Sequence, residues 1–217
     1  MKKTCYIVGA GDITNTTIKI PEDAFVISAD GGYEYLKNIG IIPDVAVGDF
    51  DSLGYKPNDT ETIVFPSEKD YPDMMLAAQE AVSRGFDNIV IYGALGGRLD
   101  HTMGNLQLLA FFSQRKITVQ LLDDSVAVTS VTDSSINLGK REKGVVSVFA
   151  FGGTAYGVTI KGLKYTLVNA NMDPAVPLGV SNEFIGEDAS ISVEKGNLII
   201  IYERENIVST ISENVPK

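Results

Sequence analysis

Two aspartates one residue apart are the feature of this chain best suited to chemistry. Asp49 and Asp51 flank Phe50 and follow a β-branched run, Val45 to Val47, that Gly48 interrupts. In an extended segment residues i and i+2 point to the same side. Both carboxylates are therefore expected to project together from a strand end, while Phe50 anchors the loop in the core. Carboxylates about 4–6 Å apart repel by roughly 1 kcal/mol in water and several times that in a drier cleft. A hard divalent cation resolves the repulsion, and Mg2+ prefers such oxygen ligands. On this stretch alone an acidic surface turn reads equally well, because Asp and Ser are common turn residues.

The elements that position this pair weigh towards the metal. Thr4 to Val8, Phe25 to Ala29, Val45 to Val47, Thr62 to Phe65, Asn88 to Tyr92 and Thr118 to Leu122 read as buried strands. Helical segments fall between them: Tyr33 to Ile39, closed by Gly40; Asp73 to Arg84, with Met74, Ala77, Ala78, Ala81 and Val82 on one face; and Thr102 to Gln114. Strands alternating with helices imply a mostly parallel, Rossmann-like sheet covered on both faces. Ligands of such sheets bind beyond the carboxyl ends of the strands. Asp30, Asp49, Asp51, Asp70, Asp73 and Gly96-Gly97-Arg98 all fall just after predicted strands. Gly9-Ala10-Gly11-Asp12 is only half a dinucleotide fingerprint and reads as a tight turn. The Met74-Met75 pair reads as core.

The pattern changes near Asp123-Asp124. Beyond it come short strands and turns: Val126–Val131, Val145–Phe149, Ala155–Ile160, Tyr165–Val168, Ala189–Val193, Leu198–Tyr202 and Ile207–Thr210, punctuated by glycines. The expected fold class is thus an α/β catalytic domain over residues 1–124 and a small all-β sandwich over residues 125–217. The chain's 217 residues suffice for two such units, and 44% hydrophobic content supports a proper core. A net charge of −10 argues against a general nucleic-acid binder. Cys5, the single cysteine, reads as a buried inert thiol. The apolar run behind Met1-Lys2-Lys3 is too short for a signal peptide, and no segment approaches a membrane span. A cytoplasmic location is expected, which makes the sequon at Asn15 irrelevant.

The motifs taken together resemble the thiamine pyrophosphokinases. The resemblance rests on Ala29-Asp30-Gly31-Gly32, Gly48-Asp49-Phe50-Asp51-Ser52, Glu68-Lys69-Asp70 with Asp73, Gly96-Gly97-Arg98 with Asp100-His101, and Ser181-Asn182-Glu183. They occur in the family's order and spacing over nearly the whole chain. The resemblance implies pyrophosphoryl transfer from ATP to the hydroxyethyl group of thiamine, yielding thiamine diphosphate and AMP. It also implies a β-sandwich second domain that binds thiamine, and a homodimer with sites shared between subunits. One departure is Pro72, where the family usually has Thr before the last acid; a hydroxyl that could touch phosphate or cap the helix is missing, although Pro is tolerated in a first turn.

Attack on the β-phosphorus needs charge neutralisation across the phosphate oxygens and an in-line hydroxyl. Asp30, Asp49, Asp51 and Asp73 are the expected Mg2+ ligands. Lys69 would be a point charge on phosphate, and with Asp73 would also face the acceptor. Asp70 orients a ligand or caps the helix at Asp73. Gly96 and Gly97 permit close backbone approach to phosphates, which Arg98 can grip bidentately. His101, the only histidine, sits beside Asp100 and is expected to contact the nucleotide or brace the loop, and Asn105 is one turn further along. By resemblance, Ser181 and Asn182 lie near the thiamine site of the other subunit; by composition alone they read as a turn. A Mg2+-dependent phosphotransferase acting on another small alcohol, a phosphohydrolase, and a non-catalytic nucleotide or thiamine sensor are the competing functions.

Overall fold

The computed structural model describes residues 4–13 and 18–204. The expected strand at Ile207–Thr210, the sequon at Asn15 and the basic N-terminus lie outside them. Strands β1 (Thr4–Val8), β2 (Phe25–Ala29), β3 (Val45–Gly48), β4 (Glu61–Val64), β5 (Asn88–Tyr92) and β6 (Thr118–Leu122) form a parallel array in the order β6-β5-β1-β2-β3-β4. Helix α1 (Gly32–Asn38) lies on one face, where Leu36 packs with Val8, Val26 and Tyr92. Helices α2 (Asp73–Ser83) and α3 (Leu99–Ser113) share the other, where Ala77, Ala78, Ala81, Leu108, Leu109 and Phe112 meet Ile7, Ile27, Ile89 and Ile91. The apolar spacing of α2 explains this placement, since its three buried alanines let the helix lie close to the sheet. Cys5 and Met74 are buried here, as expected.

The second half corrects one expectation. The parallel sheet does not end before the β-rich region. Strand β7 (Val126–Thr132) turns back antiparallel on β6 with Gln120 opposite Thr129, and the sheet continues through β14 (Asn197–Glu203), β9 (Val145–Ala150) and β12 (Gly179–Glu183). The result is one mixed sheet of ten strands. The residues that read as a boundary are a hairpin turn, in which Asp123 Oδ1 accepts hydrogen bonds from the N–H groups of Ser125 and Val126, both at 2.8 Å. A second sheet, β11-β10-β13-β8, comprises β8 (Ser135–Lys140), β10 (Ala155–Lys161), β11 (Leu167–Met172) and β13 (Asp188–Ser192). It packs on the antiparallel end of the first, burying Val146, Val148, Val158, Ile160, Ile191, Leu198 and Ile200 between them. Strand β14 serves both cores: Leu198 and Ile200 face the sandwich, and Ile199 belongs to the core under α3. Its unbroken apolar run reflects burial on both faces.

Candidate active site at the carboxyl ends of the parallel strands

Chain reversals after β1, β2, β3 and β5 meet at one edge, and glycines let them close. The N–H groups of Gly9 and Gly11 donate to the carbonyls of Tyr92 (2.9 Å) and Gly93 (3.0 Å). A Cβ on Gly11 would lie 2.4 Å from the Gly93 carbonyl oxygen, and one on Gly32 would lie 2.0 Å from that of Val8. The Gly9–Gly11 segment is therefore a turn, as read, with glycine required by the neighbouring loop.

On this frame sit four of the expected residues and the lysine. Asp30 follows β2 in a left-handed conformation (φ +46°), its N–H bonded to the Val47 carbonyl at 2.8 Å. Its Oδ2 accepts from Ser52 Oγ at 2.9 Å, whereas its buried Oδ1 has no hydrogen-bond partner. Lys69 Nζ donates to Asp73 Oδ1 at 2.6 Å and to Asp49 Oδ2 at 3.1 Å, with only 12% of its side chain exposed. Asp51 is exposed, and its Oδ2 accepts from Ser67 Oγ at 2.8 Å. Ser52 and Ser67 were given no role from sequence; their only signal is a hydroxyl beside a clustered acid.

The extended geometry expected for Asp49 to Asp51 is replaced by a turn. Phe50 has φ +61°, and Asp51 N–H donates to Asp49 Oδ1 at 3.1 Å. Phe50 is buried as expected, against Tyr33 and Ala46. The Tyr33 hydroxyl donates to Asp59 Oδ1 at 2.6 Å, so an aromatic brace pins the acid-bearing loop to α1.

These contacts set the charge balance. The Asp51 N–H and then the Lys69 ammonium hold the Asp49 carboxyl below its ordinary value. Burial raises that of Asp73, and the charges of Asp49 and Asp30 add to this against the pull of Lys69. Burial opposes the charge on Lys69, but its bonds to Asp73 and Asp49 outweigh it and lift the ammonium above its usual range.

Asp70 is exposed and does not cap α2: the N-cap is Pro72, and no side chain caps that end. The proline ring takes the position before the first turn, so a cap from Asp70 is a reading the structure corrects.

A second group follows β5. Gly96 and Gly97 take φ of +75° and +62°, and α3 begins at Leu99, three residues earlier than expected. Arg98 grips Asp100 with both arms, at 3.1 and 2.6 Å, and holds that carboxyl down to about 2. His101 is exposed and its N–H donates to Asp100 Oδ1 at 3.0 Å. Asn105 Nδ2 donates to the Ala94 carbonyl at 2.8 Å and so braces the glycine loop. An ideal Cβ on Gly96 would lie 3.4 Å from Asp12 Cβ, which places this loop beside that of β1.

Ser181 and Asn182 are not brought to this edge. They lie on β12, a strand and not a turn, whose register against β9 shifts between Gly179 and Asn182. Ser181 is exposed with φ +58°. Asn182 is 4% exposed and holds the backbone of Tyr165, accepting from its N–H at 2.9 Å and donating to its carbonyl at 2.6 Å. Strand β12 is one edge of the ten-stranded sheet and β4 the other. With strands about 4.8 Å apart, the eight steps from β12 to β3 span roughly 40 Å.

Among the described residues no three His, Cys, Asp or Glu side chains are gathered closely enough to hold a metal ion. The donor chemistry nevertheless fits a hard cation: carboxylates from β2, β3 and α2 share one edge, and the buried Asp30 Oδ1 is an acceptor that no protein group satisfies.

Comparison with known proteins gives concordant results. A family model described as "Thiamin pyrophosphokinase, catalytic domain" matches residues 19–121, and one described as "Thiamin pyrophosphokinase, vitamin B1 binding domain" matches residues 133–198. The thiamine pyrophosphokinase of Bacillus subtilis is 33% identical over 209 residues, covering 92% of this chain and 98% of that protein. Thiamin pyrophosphokinase 1 of Caenorhabditis elegans is 29% identical, over 84% of this chain and 80% of its own length. The crystal structure of the Bacillus subtilis enzyme superposes with a TM-score of 0.82 at 30% identity, covering 94% of this chain and all of that one (100%). That of Geobacillus thermodenitrificans gives 0.80 at 28% identity, over 94% of this chain and 99% of that one.

Proposed function

The chain belongs to the thiamine pyrophosphokinase family, and from that premise we propose how its residues divide the work. It is an ATP-dependent enzyme that makes thiamine diphosphate from thiamine. The reaction forms a bond between the thiamine hydroxyl oxygen and the β-phosphorus of ATP and breaks the bond from that phosphorus to the α,β-bridging oxygen. AMP leaves, and the hydroxyl loses its proton. The observation that carries the assignment of roles is the bridging of Asp49 and Asp73 by Lys69 at the end of β3 and the start of α2, with the charge of Asp30, at the end of β2, felt at Asp73.

In this reading Asp30, Asp49, Asp51 and Asp73 hold Mg2+, which when bound neutralises charge on the phosphate oxygens. The Asp51 N–H and the Ser52 and Ser67 hydroxyls fix the directions of Asp49, Asp30 and Asp51. The Gly96-Gly97 turn offers backbone N–H groups ahead of the positive end of α3. Arg98 exchanges Asp100 for a phosphate of ATP, and both are exposed enough to do so. Asn105 keeps the loop in register for that contact.

The acceptor site belongs to two chains. The roughly 40 Å between β12 and β3 supports this, because Ser181 of one chain cannot reach that chain's own acids. A two-fold dimer would lay one subunit's β-rich half, residues 125–217, over the partner's acid cleft in residues 1–124. Asn182 then acts by holding the Tyr165 backbone in place, while Ser147 Oγ holds the Ser181 N–H.

The test is product analysis. The protein is incubated with ATP, Mg2+ and thiamine, and nucleotides and thiamine esters are separated. AMP and thiamine diphosphate should appear in equal amounts. Release of inorganic phosphate without thiamine diphosphate would overturn the assignment.

A further inference from the structure

The bridging position of Lys69 does not agree with a simple phosphate contact. Its ammonium is already committed to two carboxylates, Asp73 at 2.6 Å and Asp49 at 3.1 Å, and its side chain is largely buried with them. Two of its three N–H groups are taken, which leaves one for a phosphate unless it gives up an acid. The two oxygens it occupies, Asp49 Oδ2 and Asp73 Oδ1, belong to acids assigned to the divalent cation. Magnesium binds oxygens at about 2.0–2.1 Å, so a metal ion on these same oxygens would lie about 4 Å from the ammonium, where a dication and a monocation repel strongly in a largely buried site.

We propose that Lys69 is a built-in counter-ion that competes with the divalent cation for Asp49 and Asp73, so that metal entry and transfer of Lys69 to the nucleotide phosphates are one coupled event. The inference rests on the metal role of these acids and deepens it. Lys69 neutralises the acid pair until the metal arrives, which keeps the frame from being strained by like charges. The released ammonium lies four residues before Asp73, on the segment that joins β4 to α2, and its new partner is the polyanion that enters with the metal. Because coupling free energies are reciprocal, nucleotide must tighten metal binding by giving Lys69 somewhere else to go. Asp49 does not depend on Lys69 for its position, since Asp51 N–H holds its other oxygen. Removing the lysine therefore leaves the acid in place and removes the competitor.

The experiment uses Mn2+ as the probe and counts free ion by electron paramagnetic resonance, on the full chain with and without α,β-methylene ATP. Without nucleotide, Lys69→Met should bind Mn2+ about tenfold more tightly than the unaltered protein, equivalent to about 1.4 kcal/mol. Lys69→Arg keeps a cation between the acids and should stay near the unaltered value. With the ATP analogue, Mn2+ affinity should rise more in the unaltered protein than in Lys69→Met, closing the gap. Should Lys69→Met fail to fold by circular dichroism, Lys69→Gln carries the same expectation. Measurable binding of equal strength in the unaltered protein and the neutral variants overturns the competition while leaving the metal role intact. Binding no tighter in any of them than in Asp49→Asn overturns the metal role and the competition with it.

Discussion

Asp49→Asn separates the chemistry of this site from its architecture. The amide keeps the oxygen that accepts from Asp51 N–H at 3.1 Å, so the turn through Phe50 survives. What it loses is the charge facing Lys69 at 3.1 Å. At an effective dielectric near 20 that contact has a gross Coulomb energy of about 5 kcal/mol. Most of it is offset, because Lys69 retains Asp73 at 2.6 Å and the substitution removes a like charge from the neighbourhood of Asp73 and Asp30. With side chains 12% and 19% exposed the pair lies between the surface and buried cases. The expected net loss of stability is about 1 kcal/mol, or about 2–4 °C in Tm for a chain of this size. Loss of one preorganised charge contact to the reacting phosphates costs about 100- to 1000-fold in rate, or about 2.7–4 kcal/mol. The rate effect should thus exceed the stability effect about threefold. The assay pairs initial rates of thiamine diphosphate formation, across a Mg2+ titration, with a melting curve. A variant within tenfold of the unaltered rate and with the same Mg2+ dependence would refute the metal role of Asp49. A fall in Tm beyond about 10 °C would show that Asp49 holds the fold itself.

Arg98→Lys keeps the charge but loses the planar fork that now grips Asp100, so KM for ATP should rise about tenfold with thiamine binding unchanged; equal nucleotide affinity by titration would remove Arg98 from the phosphate site. Gly32→Ala drives a Cβ to 2.0 Å from the Val8 carbonyl and should cost more than about 2 kcal/mol, whereas Gly104→Ala, inside α3 with open space around it, should gain about 0.5–1 kcal/mol in chemical denaturation. Burial pushes the Cys5 thiol up to about 12 from an ordinary 9.0, so it should resist iodoacetamide in the native protein. The sign follows: stability from the protonated thiol is complete below pH 9 and declines as pH rises towards 12, and Cys5→Ala should lessen that alkaline slope. Mixing inactive Asp49→Asn and Ser181→Trp chains should restore activity as subunits exchange, because one site of the mixed dimer then receives both intact parts; mixed dimers that form without activity would reject a shared site.

Burial and punctuation decided what was legible in the sequence. Strands β1, β2, β5 and β6 match the sequence reading end to end, because each is a mostly apolar, β-branched-rich run stopped by a turn residue. Strand β12 was missed: it is an exposed edge with a left-handed Ser181, and an edge strand has no apolar alternation to show. Strand β8 was missed for a related reason, since Gly139 and alternating polar residues break its pattern. Helix α3 starts at Leu99 and not at Thr102; Leu99 is 76% exposed, so the first turn carries no buried apolar residue to mark it. The change of pattern at Asp123-Asp124 coincides with a hairpin turn within one sheet, and a change from helix-alternating to all-β sequence does not reveal whether the sheet itself continues. The acids were legible because strand ends are marked by glycine. Their bridging by Lys69 was not, because Glu68-Lys69-Asp70 reads equally well as solvated charge.

The site's rigidity and its charge come from different chemistry. Backbone bonds lock the loops, from Gly9 and Gly11 to the β5 turn, from Asp30 to Val47 at 2.8 Å and from Phe65 to Gly48 at 3.0 Å. None of these involves a titrating group, so the frame is indifferent to which cation sits among the acids. The charge balance, by contrast, hangs on one lysine and a few hydroxyls that can exchange partners without moving the backbone. Under the proposed assignment, such a division would let the acids keep their places while cations and phosphates come and go. It also predicts an ordering across the variants above. Substitutions that change charge should act on rate and metal affinity with small effects on melting, and those that add a Cβ between loops should act on melting first. A charge-neutral loop substitution that slowed the reaction with no loss of stability would break that ordering and place catalytic motion, not charge, at this edge.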